Sequence, residues 1–355
     1  MRPAGAIQQT GRALDTEPAA PFVHGGPAHP ELLRDPRRRP SRSDAVYQQL
    51  PGVWCQSGVS VPHEDLLGWV GGVRHLHPTR EVLTTRSAHA DDRKQRLRSR
   101  HLAHGIGDSR HSYRFLAPAL TAAGYRVAKV DIRGCGDSSL GWDGYSRTDI
   151  AGDLVAVVRH LGGPAVIIGQ SISGGAATIA AATAPDVIAG VIELAPFTRV
   201  QSFDPGGLLR VKRYRSGYRQ LAQVLIRGSL TSWERYLDVA MPTKPADWDS
   251  ELARIRTKLT EPGRMRALQA MCKSSPGDAG AQLPNLTCPV LVIEGSADPD
   301  WADPRAEGER IIAEVPDGLG ELVVIEGAGH YPHVQTPDQV LALTVPFLTE
   351  TLTAA

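Results

Sequence analysis

The sequence predicts an α/β fold with a mostly parallel, doubly wound sheet and a helical insertion, on three observations. From about residue 101, short apolar runs alternate with helical stretches, the pattern of strands joined by crossover helices. Between Thr198 and Pro284 the alternation stops, and aromatic and aliphatic residues recur at helical spacings without a clear strand. Hydrophobic residues make up 41% of the 355 and charged residues 22%, which fits a globular chain of one large or two ordinary domains and excludes collagen, coiled coil and wholesale disorder.

Residues 1–100 stand apart from this pattern. They hold 15 Lys+Arg against 10 Asp+Glu, ten prolines and no sustained apolar period, whereas residues 101–355 carry a net charge of −4. Such a segment has little apolar area with which to offset the entropy of ordering, so a basic, disordered extension is expected, or else the product of a shifted reading frame or misplaced start. Without interleaved aromatics or a recognisable module, a nucleic-acid-binding arm is not expected, and the net charge of +1 gives the whole chain no pull toward nucleic acid or anionic membrane.

The regular part opens with a helix over Ser112–Ala123 and a strand over Val127–Ile132. A helix over Thr148–Leu161 places Ile150, Leu154, Val157, Val158 and Leu161 on one stripe. A strand over Ala165–Gln170, a helix over Ser171–Ala184 and a strand over Val187–Pro196 follow. The 25 residues from Leu161 to Pro185 carry no charge, yet glycines and Pro164 interrupt them where turns would fall, so no membrane span is expected. Tyr214, Tyr218, Leu221, Val224, Leu225, Trp233, Tyr236 and Leu237 mark the helical insertion, as core, as pocket wall, or as both. Beyond it come a strand over Val290–Gly295, a helix over Pro304–Val315 capped by Asp303, a strand over Leu322–Gly327, and a helix over Pro337–Leu352 that Thr336 and Gln339 open as a capping box. Cys55, Cys135, Cys272 and Cys288 form no CxxC pair, and the N-terminus has no apolar core of signal-peptide length, so a reducing, cytoplasmic location is expected.

Chemistry enters at Gly169-Gln-Ser-Ile-Ser-Gly-Gly175, where a strand runs straight into an alanine-rich helix. A serine on such a sharp strand-to-helix turn exposes its oxygen at the carboxyl end of the sheet, which marks Ser171 as a nucleophile; the bland alternative is an ordinary helix N-cap. The second glycine of a G-x-S-x-G motif is replaced here by Ser173. A nucleophilic serine needs a base and a carboxylate to orient it. Two later strands end at Asp298 and His330, with Asp300 and Asp303 as rivals to the former. His330 and His333 form an HxxH pair, but no third ligand stands nearby in the run, so no metal is expected. In His104-Gly-Ile-Gly107 the glycines let the backbone aim the N–H of Ile106 at a developing oxyanion, with the N–H of Ile172 as the second donor.

The stretches HGIGDSRHSYRFLAPALTAAGYRVAKVDIRGCGDSS, IIGQSISGGAA, VIEGSADPDW and EGAGHYPH, in that order, resemble the serine α/β-hydrolases of the lid-bearing esterase type over about residues 101–355. The resemblance implies a sheet of the α/β-hydrolase type, Ser171, His330 and Asp298 as a catalytic triad, Ile106 and Ile172 as oxyanion donors, and a helical lid at residues 198–286. It further implies a small-molecule acyl substrate and no metal or organic cofactor. Oligomeric state is left open. The chain departs from the family before the HGxG turn. A buried aliphatic strand belongs there, and KQRLRSRHLA would have to desolvate several arginines to supply it, so the N-terminal strands are doubtful: either unusual sequence supplies them or the native start differs. The function expected is hydrolysis of a carboxylic ester or similar acyl compound. Alternatives are lyase, acyltransferase or C–C hydrolase chemistry on the same triad, or a catalytically impaired protein.

Overall fold

The structure is a computed structural model that describes residues 53–55, 60–61 and 99–354 apart from 202–203, all within the unit Val46–Ala355. Most of the basic segment 1–100, and with it the expectation of a disordered or frame-shifted extension, lies outside the described residues. The strands are β1 (Val53–Cys55), β2 (Ser60–Val61), β3 (Ser99–Ala103), β4 (Arg126–Val130), β5 (Ala165–Gln170), β6 (Ile188–Leu194), β7 (Val290–Gly295) and β8 (Gly320–Ile325). They form one sheet in the order β2-β1-β4-β3-β5-β6-β7-β8. The β1 pairings with β2 and β4 are antiparallel and the remainder are parallel, as crossover helices require.

Helices α1 (Leu116–Ala122), α2 (Arg147–His160) and α3 (Ile172–Thr183) alternate with the first parallel strands, after a 3₁₀ turn at Arg110–Tyr113. Six helices fill the interval between β6 and β7: α4 (Pro205–Arg210), α5 (Lys212–Arg227), α6 (Leu230–Ala240), α7 (Trp248–Leu259), α8 (Arg264–Lys273) and α9 (Gly277–Gly280). The chain closes with α10 (Pro304–Ile312), α11 (Pro332–Gln335) and α12 (Pro337–Ala354). Ser146 opens α2 with a reciprocal capping box to Asp149, and Asp303 caps α10 by accepting from the Ala306 N–H at 3.1 Å. The box expected at Thr336 is absent from the bonds formed there, since the Thr336 hydroxyl donates to the Pro332 carbonyl at 3.0 Å.

Both faces of the sheet are covered, and the period-2 alternation of each strand divides its side chains between two cores. From β5, Ala165 and Ile167 pack with α2 and α3, while Val166 and Ile168 pack on the other face with α1 and α12. The uncharged run 161–185 is therefore divided between β5 and α3, and no helix among the described residues is long and apolar enough to cross a membrane.

One expectation needs correcting. The run before His104 does supply a central strand, β3, lying between β4 and β5. Only Arg100 of its arginines enters the described sheet, where it is fully buried with its guanidinium 4.7 Å from the Tyr125 ring centroid. A cation–π contact of that kind offsets part of the desolvation that made the strand look untenable. Its neighbour His101 is equally buried, and burial, with the charges of Arg126 and Arg100, lowers its pKa to about 3.

Candidate active site

Strand β5 ends in a turn that places Ser171 at φ 56° and ψ −119°, in the left-handed half of backbone space that a β-carbon disfavours. Three backbone hydrogen bonds hold it there: its N–H donates to Leu194 O at 3.0 Å, and its carbonyl accepts from the N–H groups of Gly174 and Phe197 at 3.0 and 3.1 Å. Gly169 is required by close approach, because a β-carbon at this position would stand 2.2 Å from the Ser173 carbonyl oxygen. Ser171 accepts no side-chain cap bond, which removes the N-cap alternative. The N–H of Ile172 begins α3 and is among the donors that no intrahelical carbonyl can take.

The loop after β3 faces this turn. His104 is neutral, its pKa lowered by burial against the opposing pull of Asp131 and Asp108, and its ring anchors the loop. Its Nδ1 lies 2.6 Å from Gly105 O, and its Nε2 accepts from the Ile132 N–H at 3.2 Å. Ser173, standing where the motif has glycine, donates its hydroxyl to His104 O at 2.5 Å. The replacement therefore ties the Ser171 turn to the loop that carries Ile106, rather than merely being tolerated.

Strands β7 and β8 deliver the remaining groups. His330 Nδ1 lies 2.7 Å from Asp298 Oδ2 and 3.3 Å from Asp300 Oδ2. Gln170 Nε2 donates to His330 O, and His330 N–H donates to Ala240 O, so the His330 loop is fixed to both the Ser171 turn and the insertion. Burial disfavours the imidazolium, but Asp298 and Asp300 outweigh it and raise the His330 pKa. Asp300 is raised in its turn, by burial and by the Asp298 charge, while Tyr236 donates its hydroxyl to Asp300 Oδ2 at 2.7 Å. Ser171, Ile106, Ile172 and His330 line one cavity of about 410 Å³. Its walls are mostly apolar, with Tyr214, Tyr218, Leu221 and Leu225 from α5, Phe197 after β6, and Met271 from α8.

A sequence profile of the alpha/beta hydrolase family matches residues 102–343. The chain belongs to that family. This alpha/beta hydrolase is 28% identical over 257 residues to the pimeloyl-[acyl-carrier protein] methyl ester esterase of Neisseria meningitidis serogroup B, a match spanning 70% of this chain and 92% of that protein. It is also 28% identical over 237 residues to the 2-(acetamidomethylene)succinate hydrolase of Mesorhizobium japonicum, covering 63% of this chain and 78% of that one. Among solved structures, a thermophilic esterase from Thermogutta terrifontis superposes with a TM-score of 0.56 at 25% identity, over 71% of this chain and 90% of the other.

Within the hydrolase, the sequence candidates separate. His333 points away from His330: its Nε2 lies 2.6 Å from Ser112 Oγ and its ring stacks on Tyr113, so the HxxH pair does not converge. Asp298, Asp300 and His330 do bring ligand-type atoms within 4.8 Å of one another, and within this group Asp298 and His330 are hydrogen-bonded to each other. Asp303 is spent as a helix cap. Sequence reasoning named Asp300 only as a rival to Asp298 and missed that both carboxylates meet the imidazole, because the turn that folds Asp300 back, with its N–H on Asp298 Oδ1, is not legible from spacing. The sequence places Tyr236 among the aromatics of the helical insertion but gives no sign that its hydroxyl meets Asp300.

Proposed function

We propose that this hydrolase cleaves carboxylic esters or similar acyl compounds through an acyl-enzyme at Ser171, with helices α4–α9, within residues 198–286, as a lid over the acyl pocket. The observation that carries the reading is the 2.7 Å pairing of His330 Nδ1 with Asp298, in a cavity that also holds the strained Ser171. In this mechanism Asp298 fixes the tautomer with hydrogen on Nδ1 and leaves Nε2 to take the Ser171 proton. The serine oxygen attacks the acyl carbon. Negative charge gathers on the carbonyl oxygen, where the N–H groups of Ile106 and Ile172 stabilise it. His330 then returns its proton to the departing alcohol. A water, deprotonated by the same Nε2, releases the acid and restores Ser171. The family needs no cofactor for these steps, because every proton is carried by His330.

A fluorophosphonate probe tests the reading directly. It is expected to label Ser171 in the native protein and to leave Ser171→Ala unlabelled, with p-nitrophenyl ester hydrolysis lost in the variant by several orders of magnitude and folding unchanged. Labelling at another residue, or hydrolysis that survives Ser171→Ala, overturns the assignment.

A further inference from the structure

One charged side chain in the cavity wall has no part in the mechanism above. Arg147, the first residue of α2, is 4% exposed and lines the cavity together with Phe197, Cys272 and Ser274. Its Nε donates to Phe197 O at 2.7 Å, and its Nη1 donates to Ser274 O and Oγ at 3.2 Å each. These acceptors are neutral, and no carboxylate among the described residues forms an ion pair with Arg147. Its other terminal nitrogen, Nη2, has no hydrogen-bond partner among the described residues. Asp278 is the nearest acid to influence it, but that carboxylate accepts from Thr148 on the exposed side. The Asp278 charge does not offset burial, which lowers the Arg147 pKa to about 10 and still leaves the group cationic at neutral pH.

A buried cation without a counter-charge is costly, and the cost falls when an anion with matching geometry enters. The segment that carries part of the cavity wall is basic as well. Residues 205–233, which include α5, contain six Lys or Arg and no Asp or Glu. Of these, Arg210, Lys212, Arg215, Arg219 and Arg227 are exposed, while Tyr218 and Leu225 of the same segment line the cavity at 47% and 36% exposure and so mark its mouth. Positive charge on that segment raises the local concentration of anionic substrates.

We infer that the acyl substrate carries a carboxylate at the end remote from the scissile bond, and that Arg147 binds that carboxylate. This rests on the esterase reading above. It makes the substrate a half-ester of a dicarboxylic acid, with an aliphatic chain against Leu221, Leu225 and Met271 between its two ends. Arg147 then decides specificity, and Ser171 performs the same chemistry on charged and neutral esters alike.

Mono-p-nitrophenyl esters of the dicarboxylic acids from succinate to suberate, compared with p-nitrophenyl alkanoates of equal length, test the inference. At the best length the half-ester is expected to exceed its neutral counterpart at least about tenfold in kcat/KM. Arg147→Gln removes that preference chiefly through KM, bringing the half-ester and neutral ester to within about threefold of each other, whereas Arg147→Lys keeps part of it. Neutral esters preferred at every length, or an equal loss on both series in a folded Arg147→Gln protein, overturns the inference. If Arg147→Gln does not fold, the wild-type comparison alone decides. If neither ester series is hydrolysed, it is the esterase reading that fails, and calorimetric binding of the free dicarboxylates to Ser171→Ala still decides the subsite: saturable binding supports it and none refutes it.

Discussion

Two carboxylates converge on one imidazole nitrogen, and they do not play equal parts. Asp298 makes the 2.7 Å bond and also accepts the Asp300 N–H at 2.8 Å, so it fixes both the ring and the loop. Asp300 stands 3.3 Å from the ring and is held by Tyr236 of the helical insertion. Asp298→Asn is expected to lower kcat about 10⁴-fold by freeing the wrong tautomer, as in triads of this type. Asp300→Asn acts on pH instead. The Asp300 charge favours the imidazolium and raises the His330 pKa, so its removal lets His330 become neutral at lower pH. The acidic limb of kcat/KM therefore moves downward, and activity at pH 6 rises relative to pH 9 on the order of tenfold for each unit moved. A pH profile of both variants checks this; an unmoved limb in Asp300→Asn, or a collapse equal to that of Asp298→Asn, contradicts the division of roles.

At the scale of elements, ion pairs rather than apolar area alone hold the insertion to the residues after β3. Arg114 grips Asp247 through two bonds of 2.6 and 2.8 Å, His111 Nδ1 lies 2.8 Å from Glu251, and Arg254 spans Glu251 and Asp108. Burial would raise the Glu251 pKa, but hydrogen bonds from His111 and Arg254, and the Arg254 and Arg114 charges, hold it at about 2. A depressed carboxylate pKa stabilises the folded form above the unfolded value, near 4.5, and that contribution is lost as pH falls from there toward 2. Glu251→Gln is expected to cost about 2 kcal/mol at pH 7 in a denaturant titration, and to protect the insertion less from proteolysis. The strand–helix junction under Ser171 is tighter still. A β-carbon at Gly169 meets the Ser173 backbone, whose yielding would move the elbow, so Gly169→Ala should cost about 1–3 kcal/mol and reduce activity with it. Unchanged melting and activity in Gly169→Ala would show that the junction has slack.

Over the whole molecule, buried histidines and buried carboxyls pull the response to acid in opposite directions. His101 in β3 and His333 in α11 are both fully buried, and burial first, with nearby cations second, lowers each to about 3. The unfolded chain binds their protons near 6.5, so their contribution to stability is complete above that pH and is lost as pH falls toward 3. Glu193 works the other way. Burial raises it to about 6 despite hydrogen bonds from Thr178 and Thr198, so the folded form takes up its proton first and gains between about 6 and 4.5. Buried Glu294 and Asp300, both raised chiefly by burial, act in the same direction as Glu193, so the histidine share is read as a difference. His101→Gln is expected to lose less melting temperature than the wild type between pH 7 and pH 4.5, read by calorimetry, and an equal change in both would refute this.

The sequence by itself determined the alternation of elements, the two faces of the sheet and the order of the chemical groups along the chain, because periodicity and turn chemistry act between near neighbours. Val166 and Ile168 against Ala165 and Ile167 are legible as opposite faces from spacing alone. What only the tertiary structure decided depends on residues far apart in the chain. Arg100 reads as unfit for a buried strand until Tyr125, 25 positions later, lies beneath its guanidinium. Ser173 reads as a flawed motif until its hydroxyl meets the His104 carbonyl 69 positions earlier. Asp300 and Tyr236 are 64 positions apart, and Arg147 becomes part of the cavity wall only where Phe197 and Ser274 close around it. A charge or hydroxyl is costly or useful according to its surroundings, and those surroundings exist only after the sheet and the insertion have packed.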